Sequence, residues 1–229
     1  MMLRGLSRGL VSALVLAFVG LGVSGCGFFG FFGGGQREPW RAAISDRCMA
    51  TGAVRPSAAI QPRPPVDGPG ICGADRAFRV TAFADGKVGL AERETLDCPM
   101  IAAIDQWLTQ SVQPAALALY GQPVVGLRTA GSYACRGRNG ASKGPLSEHA
   151  FANALDVAAF VFADGGEIAV ETNWRGDGRA QTFLRAVHRG GCASFFTVIG
   201  PDGDRHHQDH LHLDLARYGM RGQIHRYCR

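Results

Sequence analysis

The rhythm of hydrophobic and polar positions changes several times along the 229 residues. Residues 10–23, LVSALVLAFVGLGV, are an apolar stretch behind a short basic start, MMLRGLSRGL. The stretch is too short to span a bilayer comfortably and small residues follow it. It therefore predicts a signal peptide over residues 1–25, not a transmembrane helix. Residues 27–39, GFFGFFGGGQREP, are low-complexity Gly/Phe and read as a tether. Residues 54–70, VRPSAAIQPRPPVDGPG, are proline-rich and predict an extended surface segment. The folded domain is expected from about residue 41, becoming dense after Cys72.

Beyond Cys72 the pattern alternates between strand and helix periods. FRVTAF and KVGLA flank the turn ADG, a hairpin signal. MIAAIDQWLTQSV, residues 100–112, has helical apolar spacing, and Pro114 marks the start of a second helix. PVVGLRTAGSYACR is rich in strand formers, and NALDVAAFVFADGGEIAV reads as two strands around ADGG. Residues 180–191, AQTFLRAVHRGG, predict a short helix stopped by glycine. SFFTVIGPDGDRHHQDHLHLDL reads as strand, Gly/Asp turn, strand. Helices and hairpins mix without a βαβ rhythm and without an internal repeat, so the class is α+β. The expected architecture is a small antiparallel sheet with flanking helices.

Charge and cysteine content narrow the setting. The formal charge is +5, of which Arg4 and Arg8 in the leader supply two. No Lys/Arg run or basic stripe is present, which argues against nucleic acid as a partner. Cys26 ends VSGC, which resembles the bacterial lipobox. The resemblance implies that Cys26 is lipidated and that the mature protein is anchored to the cell-envelope membrane on the periplasmic side. Six further cysteines remain: Cys48, Cys72, Cys98, Cys135, Cys192 and Cys228. An even number in an exported chain predicts three disulfides. Spacing does not choose the pairing, although Cys192 and Cys228 flank the final strand and make the favoured pair. No CxxC pair supplies a thiolate zinc site.

The last strand carries the chemistry. In DHLHLDL, residues 209–215, strand alternation puts His210, His212 and Asp214 on one face and Leu211, Leu213 and Leu215 on the other. The leucine face calls for a core; the histidine face calls for water, a metal or a substrate. Upstream, LSEHAFANALDVAAF holds Ser147, His149 and Asp156. His149, Asp156 and His212 together give two imidazoles and one carboxylate, the donor set of a catalytic zinc site with one position left to water. Asp209, three residues before His212, is the candidate base.

SEHAFANALD resembles the S-x-H-x-x-G-x-A-x-D motif of the zinc D-Ala-D-Ala peptidases, in the lysostaphin/D-Ala-D-Ala metallopeptidase/hedgehog superfamily. DHLH resembles that superfamily's second motif. The stretches CGADRAFRVTAF, SYACR, LSEHAFANALDVAAF and the terminal RYC resemble the bacterial extensin-like C-terminal domain family over roughly residues 48–229. The resemblance implies a hedgehog/D-Ala-D-Ala-peptidase-like fold. It implies zinc held by His149, Asp156 and His212, with Asp209 as general acid/base and His210 beside it stabilising the transition state. An upstream arginine stabilises the oxyanion, with Arg136 the first choice and Arg128 the second. Ser147 orients a ligand or substrate. Two positions depart from the pattern: Ala152 replaces the usual glycine, a change expected to adjust packing, and Asp209 replaces the glutamate of the dipeptidase branch. His206 and His207 are expected in a loop near the site, and Trp174 and Tyr133 either line a groove or pack.

The leading expectation is a zinc peptidase acting on peptidoglycan stem peptides or cross-links. Its rivals are a non-catalytic module that binds zinc or peptidoglycan, and a structural envelope lipoprotein with incidental histidines.

Overall fold

The computed structural model describes residues 36–229. The expected signal peptide, Cys26 and most of the tether lie outside the described residues. Helix α1 (Pro39–Thr51) opens on Pro39, whose missing N–H is not needed at that position, and ends where Gly52 turns left-handed at φ 64°. The fold thus begins earlier than residue 41, since Arg37 already pairs with Asp67 and Asp75.

The proline-rich segment is extended but pinned to the domain. Its strand β1 (Ile60–Pro62) pairs with β4 (Ala77–Phe83), and β2 (Val66–Asp67) pairs with β3 (Gly73–Ala74). Val54, Ile60 and Val66 are buried. β4 and β5 (Val88–Asp97) form the expected hairpin.

Asp97 caps α2 (Cys98–Trp107) by accepting from the Cys98 N–H. A wider π turn over Leu108–Val112 leads into α3 (Gln113–Tyr120). Pro114 has no N–H for the preceding turn, and its ring crowds the carbonyl four residues back. The π turn accommodates both defects, so the helical run passes through the proline.

The chain continues through β6 (Val124–Gly131), β7 (Ala154–Phe162), β8 (Glu167–Ala169), α4 (Val170–Asn173) and α5 (Gly178–Ser194), then β9 (Thr197–Ile199), β10 (Leu211–Asp214) and β11 (Tyr227–Cys228). α5 does not stop at its glycines. A Cβ on Gly190 would lie 2.2 Å from Ser111 Oγ, so Gly190 lets α5 approach the π turn closely. These glycines serve packing, not termination.

The main sheet runs β1-β4-β5-β6-β7-β10-β9-β11, with β8 also on β7. The α+β class is as expected, but a small antiparallel sheet is not what forms. The sheet has nine strands, and β5–β6 and β9–β11 pair in parallel. A parallel pair needs a long crossover, and the helical run of α2 and α3 provides it.

Those helices and α5 pack on one sheet face. Trp107 meets Phe160 and Phe195 edge-on at 5.8 and 6.0 Å, and its indole N–H donates to Val187 O at 2.9 Å. Leu155, Val157, Leu211 and Leu213 are fully buried there. Each such side chain contributes about 1.5–3 kcal/mol. Trp174 belongs to this core and lines no groove; it is 1% exposed, with Arg185 stacked 4.0 Å from its ring. Tyr133 packs against Val66, Ala74, Ala77 and Ala152.

Three disulfides join Cys48–Cys98, Cys72–Cys135 and Cys192–Cys228, with Cα separations of 6.0, 5.6 and 5.8 Å. They tie α1 to α2, the loop before β3 to the loop after β6, and α5 to the C-terminus. Among the described residues no helix is long and apolar enough to cross a membrane.

Candidate metal centre

Strand register builds the centre. Asp156 on β7 lies directly opposite His212 on β10, so their side chains leave the same face. That face is the one opposite Leu155, Val157, Leu211 and Leu213. His149 comes from a 3-10 turn, Glu148–Phe151, in the loop between β6 and β7. Ala152 ends the turn in the left-handed conformation at φ 53°. A position with this backbone favours glycine, so the departure from the glycine pattern bears on backbone conformation as well as packing.

Three side chains converge, the two imidazoles each meeting a different oxygen of Asp156. His212 Nδ1 is 2.8 Å from Asp156 Oδ1 and 3.2 Å from His149 Nε2, and His149 Nε2 is 3.1 Å from Asp156 Oδ2. Zinc bonds of about 2.0–2.1 Å at tetrahedral angles need donors about 3.3 Å apart. The donors therefore fit a small cation with little adjustment, and all three residues are buried. The outer nitrogens are committed elsewhere. His149 Nδ1–H donates to Ser132 O, and His212 Nε2–H donates to Asp214 Oδ2 at 2.9 Å. Each bond leaves the inner nitrogen with its lone pair aimed at the cluster, the usual support for a histidine ligand.

The electrostatics agree. Burial alone would disfavour a charged His212, but hydrogen bonds to Asp156 and Asp214 outweigh it and raise the imidazole to about 10. Burial likewise opposes ionisation of Asp156, and the two histidines overcome it, holding the carboxyl well below its usual range. The same groups that favour a proton on His212 favour any cation, so metal binding there would compete with protonation.

Around the cluster, Arg136 Nη2 lies 3.7 Å from Asp156 Oδ2. His210 Nε2 lies 3.6 Å from Asp156 Oδ1, while its Nδ1 bonds Asp209 Oδ1 at 2.7 Å. Asp209 itself is largely exposed and touches the cluster only through His210. A cavity of about 230 Å³ opens beside the cluster, lined by Ser147, His149, His212 and Arg136 among others. Arg128 is not part of it. Its register opposite Ala159 carries it up β6, where it pairs with Glu167 at 3.4 Å. His206 is exposed beside Arg205.

Several residues of the site were not singled out from sequence. Asp214 supports His212, although strand alternation had already put both on one face. His207, expected only as a loop residue, lines the cavity, with Nδ1 2.7 Å from Asp204 Oδ1. Burial lowers its pKa despite Asp204. Glu148 is held by the two terminal guanidinium nitrogens of Arg41, at 2.7 and 2.9 Å, and by Asn153 Nδ2 at 2.6 Å. That network fixes the turn carrying His149 to α1. Nothing in the spacing of Arg41 and Glu148, 107 residues apart, announces the pair. A second group, His188, Cys192 and Cys228, also lies close together, but the cysteines are bonded to each other and offer no thiolate.

An α+β domain with a buried His/Asp/His cluster at the foot of a cavity defines the class of protein. The chain belongs to the family described as Extensin-like protein C-terminus, whose model matches residues 46–229. No curated protein and no solved structure matches it.

Proposed function

We propose that this protein is a zinc-dependent peptidase acting on peptidoglycan stem peptides or cross-links. The observation that carries the reading is the convergence of His149 Nε2, Asp156 and His212 Nδ1, with both outer nitrogens already bonded. The resemblance of SEHAFANALD and DHLH to the motifs of zinc D-Ala-D-Ala peptidases supports it, and with it a kinship in fold. The apolar leader and VSGC support placement in the periplasm, anchored through Cys26.

His149, Asp156 and His212 would hold the zinc ion, which would supply Lewis acidity to a peptide carbonyl and to water. His210 Nε2 stands beside the cluster, 3.6 Å from Asp156 Oδ1, and Asp209 fixes its ring from the far side. His210 takes a proton from water and returns it to the leaving amine. Arg136 donates to the developing oxyanion. Ser147, on the cavity wall, orients the substrate.

A second reading, a module that binds zinc or peptidoglycan without cutting, is favoured by the exposure of Asp209. The test is zinc content together with mass spectrometry of peptidoglycan fragments, for wild type, Asp209→Asn and His212→Ala. The peptidase reading expects Asp209→Asn, which removes the charge that fixes the His210 base, to keep zinc and the fold while turnover falls by up to about 10⁴-fold, and His212→Ala to lose zinc. A zinc-loaded wild type that releases no fragment refutes the peptidase.

A further inference from the structure

The sheet face that carries the metal cluster continues across β6 to β5, β4 and β1. On β4 and β5 the side chains turned toward the helices are Phe78, Val80 and Leu96, all buried. Arg79 alternates with them and takes the other face, with Gln61 and Thr95 directly opposite it. Arg93 precedes Thr95 by two residues on β5, so it shares that face. Asp156 and His212 leave the sheet on the same side, away from the helices. Arg79 and Arg93 are exposed and line one depression of about 210 Å³ together with Gln61 and Thr81. Arg63, just after β1, donates to Thr95 Oγ1 at 2.7 Å and completes the group.

No acid neutralises these three. Elsewhere arginines pair with carboxylates, as Arg37 does with Asp75 and Arg76 with Asp46. Among the described residues Arg63, Arg79 and Arg93 enter no such pair. The acids beside Arg93 are turned away. Glu94 lies opposite Val80, on the helix side, where it accepts from the Thr129 hydroxyl, and Glu92 shares its side by alternation. Like charges on adjacent strands destabilise a sheet. Threonine or glutamine, as at Gln61, Thr81 and Thr95, would serve the strands as well. The fold gains nothing from this positive patch.

We propose that Arg63, Arg79 and Arg93 form a docking platform for the carboxylates of a peptidoglycan strand, apart from the stem peptide held at the metal cluster. β4 stands three strands from β7, on the order of 15 Å at the usual strand spacing. A stem peptide at the cluster therefore leaves the platform to a neighbouring stem of the same polymer. Free peptide ends bring carboxylates, and a guanidinium binds a carboxylate through a two-pronged hydrogen bond. Stems repeated along one strand make the attachment multivalent. The identity of the polymer rests on the peptidase reading; its attachment requires no cleavage.

The test is co-sedimentation of the zinc-loaded full chain with purified insoluble peptidoglycan, on ice, at low and high salt. Arg79→Gln/Arg93→Gln should bind about 3- to 10-fold more weakly than wild type at low salt, the worth of two exposed ion pairs. High salt should shrink the difference. Arg79→Lys/Arg93→Lys, which keeps the charge, should bind within about twofold of wild type. Methyl esterification of the peptidoglycan carboxyls should weaken wild type to the level of the glutamine variant. That variant should keep its zinc, melt no lower than wild type and bind a soluble stem pentapeptide as wild type does. Equal sedimentation of the glutamine variant and wild type at low salt overturns the platform and leaves the peptidase intact. Arginine-dependent binding to anionic phospholipid vesicles, with none to peptidoglycan, also overturns it and assigns the patch to a membrane surface. Arginine-dependent sedimentation of a wild type that cuts no stem peptide removes the peptidase and leaves the platform.

Discussion

Asp214 decides whether His212 is a good ligand. Its Oδ2 accepts the His212 Nε2–H at 2.9 Å, its Oδ1 accepts the Ala216 N–H at 2.8 Å, and the residue is buried. Asp214→Asn keeps the shape and a carbonyl acceptor but removes the charge. A hydrogen bond to a charged group is worth about 1.5–3 kcal/mol and a neutral one about 0.5–1.5. The difference predicts about a tenfold loss of zinc affinity. Asp214→Ala removes the acceptor altogether. The imidazole proton is then free to sit on Nδ1, the nitrogen that faces the cluster. Losses for such supporting partners run about 10–100-fold, and Asp214→Ala belongs at the upper end. The assay is competition for zinc against a chromophoric chelator at constant pH, with circular dichroism confirming the fold. Asp214→Ala binding zinc within about twofold of wild type, while His212→Ala does not bind, would refute the claim that the outer hydrogen bond prepares the ligand.

Two stability effects follow from groups outside the donor cluster. Asp97 is pushed up to about 6 by burial, against its bonds to Ser45 and the Cys98 N–H. Its folded pKa lies above its unfolded value, so native stability falls as pH rises from about 4 through 6. Asp97→Asn should therefore stabilise by up to about 3 kcal/mol at pH 8 and lose that advantage at pH 4; urea melts showing equal effects at both would contradict this. Arg41→Ala strands the buried Glu148 carboxylate, which then keeps only Asn153. Breaking a buried pair costs about 3–5 kcal/mol, and a midpoint unchanged in urea would deny that α1 braces the His149 turn.

How much of this could be read from the chain depends on whether the information is local. His149 and Asp156 sit within eight positions of each other, and His212 lies in a run whose alternation shows which face it takes. The hairpins around ADG and ADGG were legible because turn residues stand between short runs of strand formers. The extent of the sheet was not. β1 and β11 span three and two residues, too short for a period, and the parallel β5–β6 contact is made only by tertiary packing. Gly190 and Gly191 were read as a stop because a glycine gives the same letter for a cap and for close packing. Glu148 and Arg41 carry no spacing signal at all; the fold alone brings them together. Arg128 and Arg136 were separated only by register, which put one beside the cluster and the other beside Glu167.

The pairing of His212 with Asp156 also sets an order of events. A slip of β10 by one residue would turn His212 into the core and Leu213 out of it. The register that buries the leucines is thus the same one that assembles the donors, and neither can be had alone. A growing polypeptide holds His149 and Asp156 for some 56 residues before His212 exists. Until His212 is added and β10 pairs with β7, the three side chains cannot meet, so the cluster waits on a long-range contact that no local segment can make alone.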